Sequence, residues 1–173
     1  MPYVELIGRE GLVEALCHDM AVQGEALCRI EQHFDCEHHQ IATTAALLFP
    51  ERASLEIVRQ MLGEREEASG LTELEQDALA EIGNIIINSC MNSLAQVFDR
   101  EMVGSLPAVQ VGQAAALFPA ADADDAATLL ARVGMRMASS SVSGHVIFMM
   151  DLPSLSTSIR LIRRFFGLEE LVA

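Results

Sequence analysis

One long helix constrains the fold of this chain more than any other feature of its sequence. Thr72 is followed three residues later by Glu75, the spacing of a capping box, in which two side chains satisfy backbone donors at the start of a helix. No proline interrupts the residues that follow, so the helix is predicted to run to about Asp99. Pro107 then opens a predicted strand over 108–111.

The remaining elements are predicted from periodicity and from proline and glycine. The segment from Glu5 to His33 carries apolar residues at helical spacing, although Gly8, Gly11 and Gly24 weaken a single unbroken helix. Further strands are predicted at 41–49, 128–138 and 142–150, and further helices at 50–63 and 153–166. The predicted inward face of the helix at 50–63 comprises Leu55, Val58, Met61 and Leu62.

A weak internal repeat relates two parts of the chain. Residues 47–63 and 148–167 both read as an apolar strand, a proline, a short amphipathic helix and a glycine. The predicted fold class is therefore α+β, with two similar helix–strand–helix halves, about 1–70 and 71–173, and long helices packed on an antiparallel sheet. All 173 residues are predicted to form a single domain.

The composition excludes several classes of function. With 25 acidic and 11 basic residues, the net charge of −14 repels phosphate backbones and anionic lipid, so neither nucleic acid nor a membrane is an expected partner. Every basic residue is an arginine, which excludes lysine Schiff-base chemistry and a Walker-type phosphate loop. The sequence shows no signal peptide, no run of about 20 apolar residues and no CxxC pair, so a cytoplasmic protein with reduced thiols is expected.

The long helix carries a narrow polar stripe. At about 100° per residue, Asp77, Glu81, Asn84 and Asn88 fall on one face, with apolar residues roughly opposite. A solvated face alone would accommodate these residues, but asparagine is a mediocre helix former. Two asparagines four residues apart in an isoleucine-rich stretch indicate that their side-chain carboxamides form specific hydrogen bonds.

The spacing Asp77-x3-Glu81-x2-Asn84-x22-Pro107 resembles the signature of the CheC/CheX/FliY family of chemotaxis phosphatases. The surrounding Asp-Ala-Leu-Ala-Glu-Ile-Gly-Asn is similar to the CheC type. The resemblance implies a hydrolase of two-component signalling, acting on the aspartyl phosphate of a CheY-like receiver domain. It also implies that the receiver supplies the Mg²⁺, so that the chain needs no cofactor and no metal site of its own.

The same resemblance assigns roles to individual residues. Asn84 would orient the attacking water, because a carboxamide can donate to and accept from one water molecule. Glu81 would pair with a lysine of the receiver and fix the docking register. Asp77 is interpreted as a docking or helix-start residue, Asn88 as part of the motif, and Pro107 as a residue that shapes the loop and strand after the helix.

Three features leave alternatives open. The first segment offers only Glu10-x3-Glu14-x2-Cys17 as a counterpart of the motif, and Asn88-Ser89 stands where family members often carry Gly-Asn. A non-catalytic adaptor that binds a receiver, a CheD-like deamidase or a flagellar switch component is therefore the alternative function, and a homodimer is a further candidate assembly. The run His33-x2-Cys36-x-His38-His39 also allows a zinc site, although a polar connector is the expected interpretation.

Other residues are expected to be structural. Cys17, Cys28 and Cys90 are interpreted as small core residues. The aspartates of the loop at 122–125 are interpreted as solvated turn residues. The last helix is expected to pack its apolar residues inward and to present Arg160, Arg163 and Arg164 outward, with a partner-binding helix as the alternative.

Overall fold

The structure, a computed structural model, describes residues 4–8, 11, 12, 14, 26–36, 41–63, 71–118, 126–136 and 141–168. The strands are β1 (Val4–Gly8), β2 (Leu27–Cys36), β3 (Ile41–Pro50), β4 (Val103–Gly104), β5 (Ala108–Gly112), β6 (Ala126–Arg136) and β7 (Ser141–Asp151). The helices over the described ranges are α1 (Glu51–Leu62), α2 (Glu73–Phe98), α3 (Ala114–Leu117) and α4 (Leu152–Phe165).

The strands form one antiparallel sheet. Its order is β1-β6-β7-β3-β2-β4, and β5 also pairs with β2 along the same edge. The long helix α2 and the two shorter helices α1 and α4 pack on one face of this sheet. The predicted fold class, α+β with helices on an antiparallel sheet, is confirmed.

The two central hairpins have the same register. Leu27 pairs with Pro50 in the first hairpin, and Ala127 pairs with Met150 in the second, an offset of 100 positions. Each hairpin leads directly into a helix, α1 or α4, and each helix is followed by a glycine with positive φ, Gly63 or Gly167. Both strand–helix units of the proposed repeat are therefore present, while the division of the whole chain into halves stays a prediction.

Alternation along the strands separates two cores. On the face covered by α2, the main cluster includes Ile30 of β2, Leu47 and Phe49 of β3, and Leu79 and Ile87 of α2. On the opposite face, a second cluster contains Leu12, Leu27, Leu48, Leu117, Phe118 and Ile147. Because neighbouring residues of a strand point to opposite faces, both sides of the central strands are apolar and buried.

A close contact seats α2 on the sheet. A β-carbon built on Gly83 would lie 2.3 Å from Cγ2 and 2.9 Å from Cβ of Ile30. The absence of a side chain at Gly83 therefore lets the helix approach β2.

The helix predicted from Glu5 to His33 is wrong. Its two ends are strands, β1 and the first part of β2, while residues 11, 12 and 14 are helical and the rest of 9–25 lies outside the described residues. From Cys28 on, buried residues of β2 alternate with more exposed, polar or charged ones: the buried residues are Cys28, Ile30, Gln32, Phe34 and Cys36. Scattered apolar residues matched a helical spacing, but the period of two determined the structure because every second side chain packs under α2.

Other predictions meet different outcomes. The strands at 41–49, 108–111, 128–138 and 142–150 and the last helix are confirmed within a few residues. In α1, the inward face contains Ser54, Ile57 and Val58, whereas Met61 is 65% exposed, so half of that predicted face is wrong. None of the helices in the described ranges combines the length and apolar character needed to cross a bilayer.

Candidate functional site

The capping box predicted at the start of α2 is present. Thr72 Oγ1 accepts a hydrogen bond from the Glu75 backbone N–H at 3.2 Å, and Glu75 Oε2 accepts from the Thr72 backbone N–H at 2.8 Å. The other carboxylate oxygen pairs with Nε of Arg59, from α1, at 2.8 Å. The hydrogen bond from the Thr72 N–H has the larger effect, and the one from the Arg59 guanidinium the next, in holding the pKa of the Glu75 carboxyl below its usual range. These contacts fix the start of α2 relative to α1.

The predicted polar stripe, here called the seam (Asp77, Glu81, Asn84 and Asn88), lies on the open side of α2. Asp77 and Glu81 are exposed, whereas Asn84 and Asn88 are half-buried. Within the described part of the chain, neither seam carboxylate makes an ion pair. Both carboxylates are therefore available to a cationic group of a partner.

Three amide side chains meet at Asn84. Its Oδ1 accepts from Nδ2 of Asn88, one turn along the helix, at 2.7 Å. The same oxygen accepts from Nε2 of Gln32, which projects from β2, at 3.1 Å. The Asn84 side chain is thus held from two sides by elements that the core fixes in place.

Main-chain carbonyls determine which way each of these amides is oriented. Asn88 Nδ2 also donates to the Asn84 backbone carbonyl at 2.8 Å, and Gln32 Nε2 also donates to the Ser105 carbonyl at 2.9 Å. Since a carbonyl can only accept, both groups must be N–H donors, and the Asn84 atom that they share must be an oxygen. The Asn84 Nδ2 group then has no partner among the described residues and remains as a free N–H donor.

Gln32 is the site residue that sequence reasoning missed. Its side chain is 2% exposed, and its Oε1 is buried without a hydrogen-bond partner in the described structure. The available signal was a polar residue on the buried face of an alternating strand, between Ile30 and Phe34. That signal was hidden because the segment was interpreted as part of a helix.

The loop after α2 returns beside β2 to complete the site. The Ser105 N–H donates to the His33 carbonyl at 2.8 Å, and the His33 N–H donates to Ser105 Oγ at 3.0 Å. Pro107 lies half-buried just before β5, where Ala108 pairs with Glu31. The predicted strand start at Pro107 is confirmed, and the loop brings the Ser105 carbonyl to Gln32.

Two residues of the histidine–cysteine run, His33 and Cys36, do not share a site. His33 is exposed, with Nδ1 2.8 Å from Thr44 Oγ1, whereas Cys36 is buried on the other face of β2. Because these two side chains are on opposite faces of the sheet, they cannot bind one metal ion, and both belong to a strand rather than a connector. His38 and His39 lie outside the described residues, and the ranges that are described contain no group of three or more metal-binding side chains.

The remaining predicted residues have the following positions. Cys28 is buried, and burial raises the pKa of its thiol to about 11, in keeping with a small core residue. Cys90 is half-buried, and burial also raises the pKa of its thiol. Cys17, Glu10 and the aspartates of 122–125 lie outside the described residues, and Glu14 is exposed.

Comparisons with known proteins place the fold. No protein-family model matches the chain, and no curated protein matches it. A crystal structure of Thermotoga maritima FliY aligns with a TM-score of 0.71 at 13% identity, over 94% of this chain and 79% of FliY. The FliM middle domain from Vibrio alginolyticus aligns with a TM-score of 0.58 at 10% identity, over 92% and 81%. A FliM–SpeE complex from H. pylori gives 0.51 at 14% identity, over 99% and 80%. The chain therefore has the CheC/CheX/FliY-like fold.

Proposed function

We propose that the seam hydrolyses the aspartyl phosphate of a CheY-like receiver domain in chemotaxis signalling. The observation that carries this proposal is the orientation of Asn84, whose oxygen accepts from Gln32 and Asn88 so that its N–H group is left as a donor, one turn along the helix from the exposed carboxylate of Glu81. The motif resemblance and the shared fold support it. The reaction belongs in the cytoplasm, where receiver domains act.

The reaction needs positioning more than covalent chemistry. A water oxygen attacks phosphorus, the bond from phosphorus to the receiver's aspartyl oxygen breaks, and inorganic phosphate and a free aspartate carboxylate remain, with one proton released to solvent. The receiver brings the Mg²⁺ that neutralises charge on the phosphoryl oxygens. A hundredfold acceleration requires only about 2.7 kcal/mol, which one well-placed group can supply.

The hydrogen bonds at Asn84 sharpen its proposed role. The resemblance suggested that its carboxamide both donates to and accepts from the attacking water. Its oxygen already accepts from Gln32 and Asn88, so the Nδ2 group is the part of the side chain that can still form a hydrogen bond, as a donor. We therefore assign Asn84 the role of a donor, to the free lone pair of the attacking water or to a phosphoryl oxygen.

Docking is assigned to the residues around Asn84. Glu81 would pair with the receiver's lysine, and Asp77, one turn earlier, would extend the acidic side of the seam. Two of the exposed large apolar side chains are close in sequence to the site residues: Ile85 of α2, four residues after Glu81, is 59% exposed, and Leu106, next to Ser105, is 90% exposed. Exposed apolar side chains beside a polar site are typical of a protein-binding surface.

These apolar residues also support the alternative function. The same surface would serve a non-catalytic adaptor that binds a receiver, a CheD-like deamidase or a second copy of the chain. An adaptor needs contact area around the seam, but it does not need the free donor of Asn84. The two functions therefore differ in the effect of altering that one amide.

The test is the loss of phosphate from purified, phosphorylated receiver domains of the same organism. Wild-type protein should accelerate the loss, whereas Asn84→Ala and Glu81→Ala should abolish most of the acceleration. Asn84→Asp is the sharper variant, since a carboxylate still accepts from Gln32 and Asn88 but places an oxygen where the free N–H donor was. We expect it to be at least tenfold slower, a loss of about 1.4 kcal/mol.

Asn92→Ala is the matched control, because Asn92 is an exposed asparagine of the same helix outside the seam. It should retain the wild-type rate. Binding of a receiver with no change in phosphate loss would establish the adaptor. Full activity of Asn84→Asp would contradict the donor role, and neither binding nor acceleration with any receiver would contradict both functions.

A further inference from the structure

A cavity of about 200 Å³ lies between α2 and α4, above β3 and β7. Met91 and Leu94 of α2, Met102, Phe148 and Met150 of β7, and Ile159 of α4 form much of its wall. None of the four seam residues lines the cavity, so the cavity is separate from the seam. It has no part in the proposed phosphatase reaction.

The walls of the cavity offer nothing to a polar ligand. Among the described residues that line it, none is ionisable, and no polar atom is open to the space. The two lining hydroxyls are used inside the protein: Thr43 Oγ1 donates to the Met149 carbonyl at 3.2 Å, and Ser158 Oγ donates to Met150 Sδ at 3.9 Å. A polar group entering the cavity would lose its hydrogen bonds to water without replacement.

The size of the cavity suits a small molecule. An engineered apolar cavity of about 150 Å³ stays dry and binds benzene. The present cavity is somewhat larger, and three of its wall residues are methionines, whose flexible side chains adapt to irregular ligands. A single aromatic ring or a short aliphatic chain therefore fits both its volume and its chemistry.

The first hairpin unit explains why the space exists. With the offset of 100 positions, the buried Ser54 of α1 corresponds to the buried Ser154 of α4, and Val58 corresponds to Ser158. Val58 is fully buried in the main core, whereas Ser158 at the corresponding position borders the cavity. The second unit thus carries a smaller side chain where the first unit fills its core.

From this geometry we propose that the cavity between α2 and α4 is a binding site for a small, uncharged, apolar ligand. The proposal does not depend on the phosphatase activity. It predicts that occupancy stabilises the packing of α4 against α2, because a ligand that binds only the folded chain raises its stability.

The test uses benzene as the probe on the full chain, with ¹³C-methyl methionine NMR as a local readout. The methyl resonances of Met91, Met102 and Met150 should shift with saturable dependence on benzene concentration, and that of the exposed Met61 should not. The melting temperature should rise over the same concentration range. Phenol, whose hydroxyl finds no partner in the cavity, should bind at least fivefold more weakly.

Variants at Ser158 provide the control. Ser158→Leu should fill the space and abolish the benzene response, and Ser158→Val, which copies the first unit, should weaken it even if the leucine variant is poorly folded. Ser156→Leu, at an exposed position of the same helix, should respond as the wild type does. The absence of methyl shifts at the solubility limit of benzene, or an equal response in folded Ser158→Leu and Ser158→Val, would overturn the proposal.

Discussion

At the scale of single residues, neighbouring side chains decide what Asn84 can do. A free carboxamide both donates and accepts, but the hydrogen bonds from Gln32 and Asn88 occupy the Asn84 oxygen. A group held in one orientation before the substrate arrives loses little conformational freedom on binding. Gln32, which touches no substrate in this scheme, is therefore a positioning residue, and its contribution can be separated from stability.

The first prediction concerns Gln32→Leu. This change removes the donor to Asn84, but it also removes the buried and unpartnered Oε1, so we expect the free energy of unfolding to change by no more than about 2 kcal/mol. The accelerated loss of phosphate should fall at least fivefold through kcat, with KM nearly unchanged. Urea unfolding and steady-state kinetics with a phosphorylated receiver measure the two effects.

Gln32→Glu supplies the second readout for the same prediction. At neutral pH its carboxylate would face the oxygens of Asn84 and Ser105, so activity should be lower than in Gln32→Leu. Protonation restores one donor, so activity relative to wild type should recover as the pH falls. A Gln32→Leu variant with the wild-type kcat would show that Asn84 does not depend on Gln32 for its orientation.

At the scale of elements, the position of α2 depends on its contact with β2. Glycine inside a helix costs about 1 kcal/mol relative to alanine, and a solvated helix would gain from its replacement. Here the added carbon would overlap Cγ2 and Cβ of Ile30, atoms that lie next to the backbone and have little freedom to move. Relief therefore requires a shift of the helix away from the strand that carries Gln32.

The second prediction is that Gly83→Ala lowers the free energy of unfolding by about 1–3 kcal/mol, despite the better helix propensity of alanine. Chemical denaturation measures this change. Combined with Ile30→Ala, the change should cost less than the sum of the two single substitutions, because the Cγ2 contact disappears, and a double-mutant cycle gives the coupling energy. A Gly83→Ala protein more stable than wild type would show that α2 tolerates the extra carbon without strain.

At the scale of the whole molecule, two carboxylates with lowered pKa anchor the helices on the sheet. Glu75 caps α2 and pairs with Arg59 of α1. Asp151 caps α4, and hydrogen bonds that the Ser154 side chain and backbone N–H donate to its carboxylate lower the pKa of Asp151. A carboxyl group with a lower pKa in the folded than in the unfolded chain stabilises the fold above its ordinary pKa. That contribution is lost as the pH falls through the folded value.

The third prediction follows from this sign. The free energy of unfolding should decrease as the pH falls below about 4, the ordinary range for these carboxyls. Glu75→Gln should lower stability at pH 7 and have a smaller effect in acid, which flattens the acid limb of the profile. Asp151→Asn, which keeps a good helix cap but cannot titrate, should flatten it further. Unfolding curves from pH 7 to pH 2 measure the profile, and an unchanged acid limb in both variants would contradict the assignment.

Local sequence was sufficient for part of this protein. The capping box fixed the start of α2, and the polar stripe placed Glu81 and Asn84 on its open face, because a helix start and a helix face depend on residues within one or two turns. The strand-then-helix units followed from apolar runs that end at prolines. The α+β fold class followed from the same signals.

Tertiary structure decided the remainder. The first segment became strands because its alternate residues could be buried under α2, and Met61 of α1 stayed exposed although its spacing matched an inward face. The partner of Asn84 lies 52 positions earlier, on a strand that only the folded sheet brings beside the helix. Which residues meet across such a separation depends on strand register and on the approach allowed at Gly83, neither of which local periodicity encodes. The sequence alone thus placed Glu81 and Asn84 on one face of the helix, and the fold determined that Asn84 presents a donor.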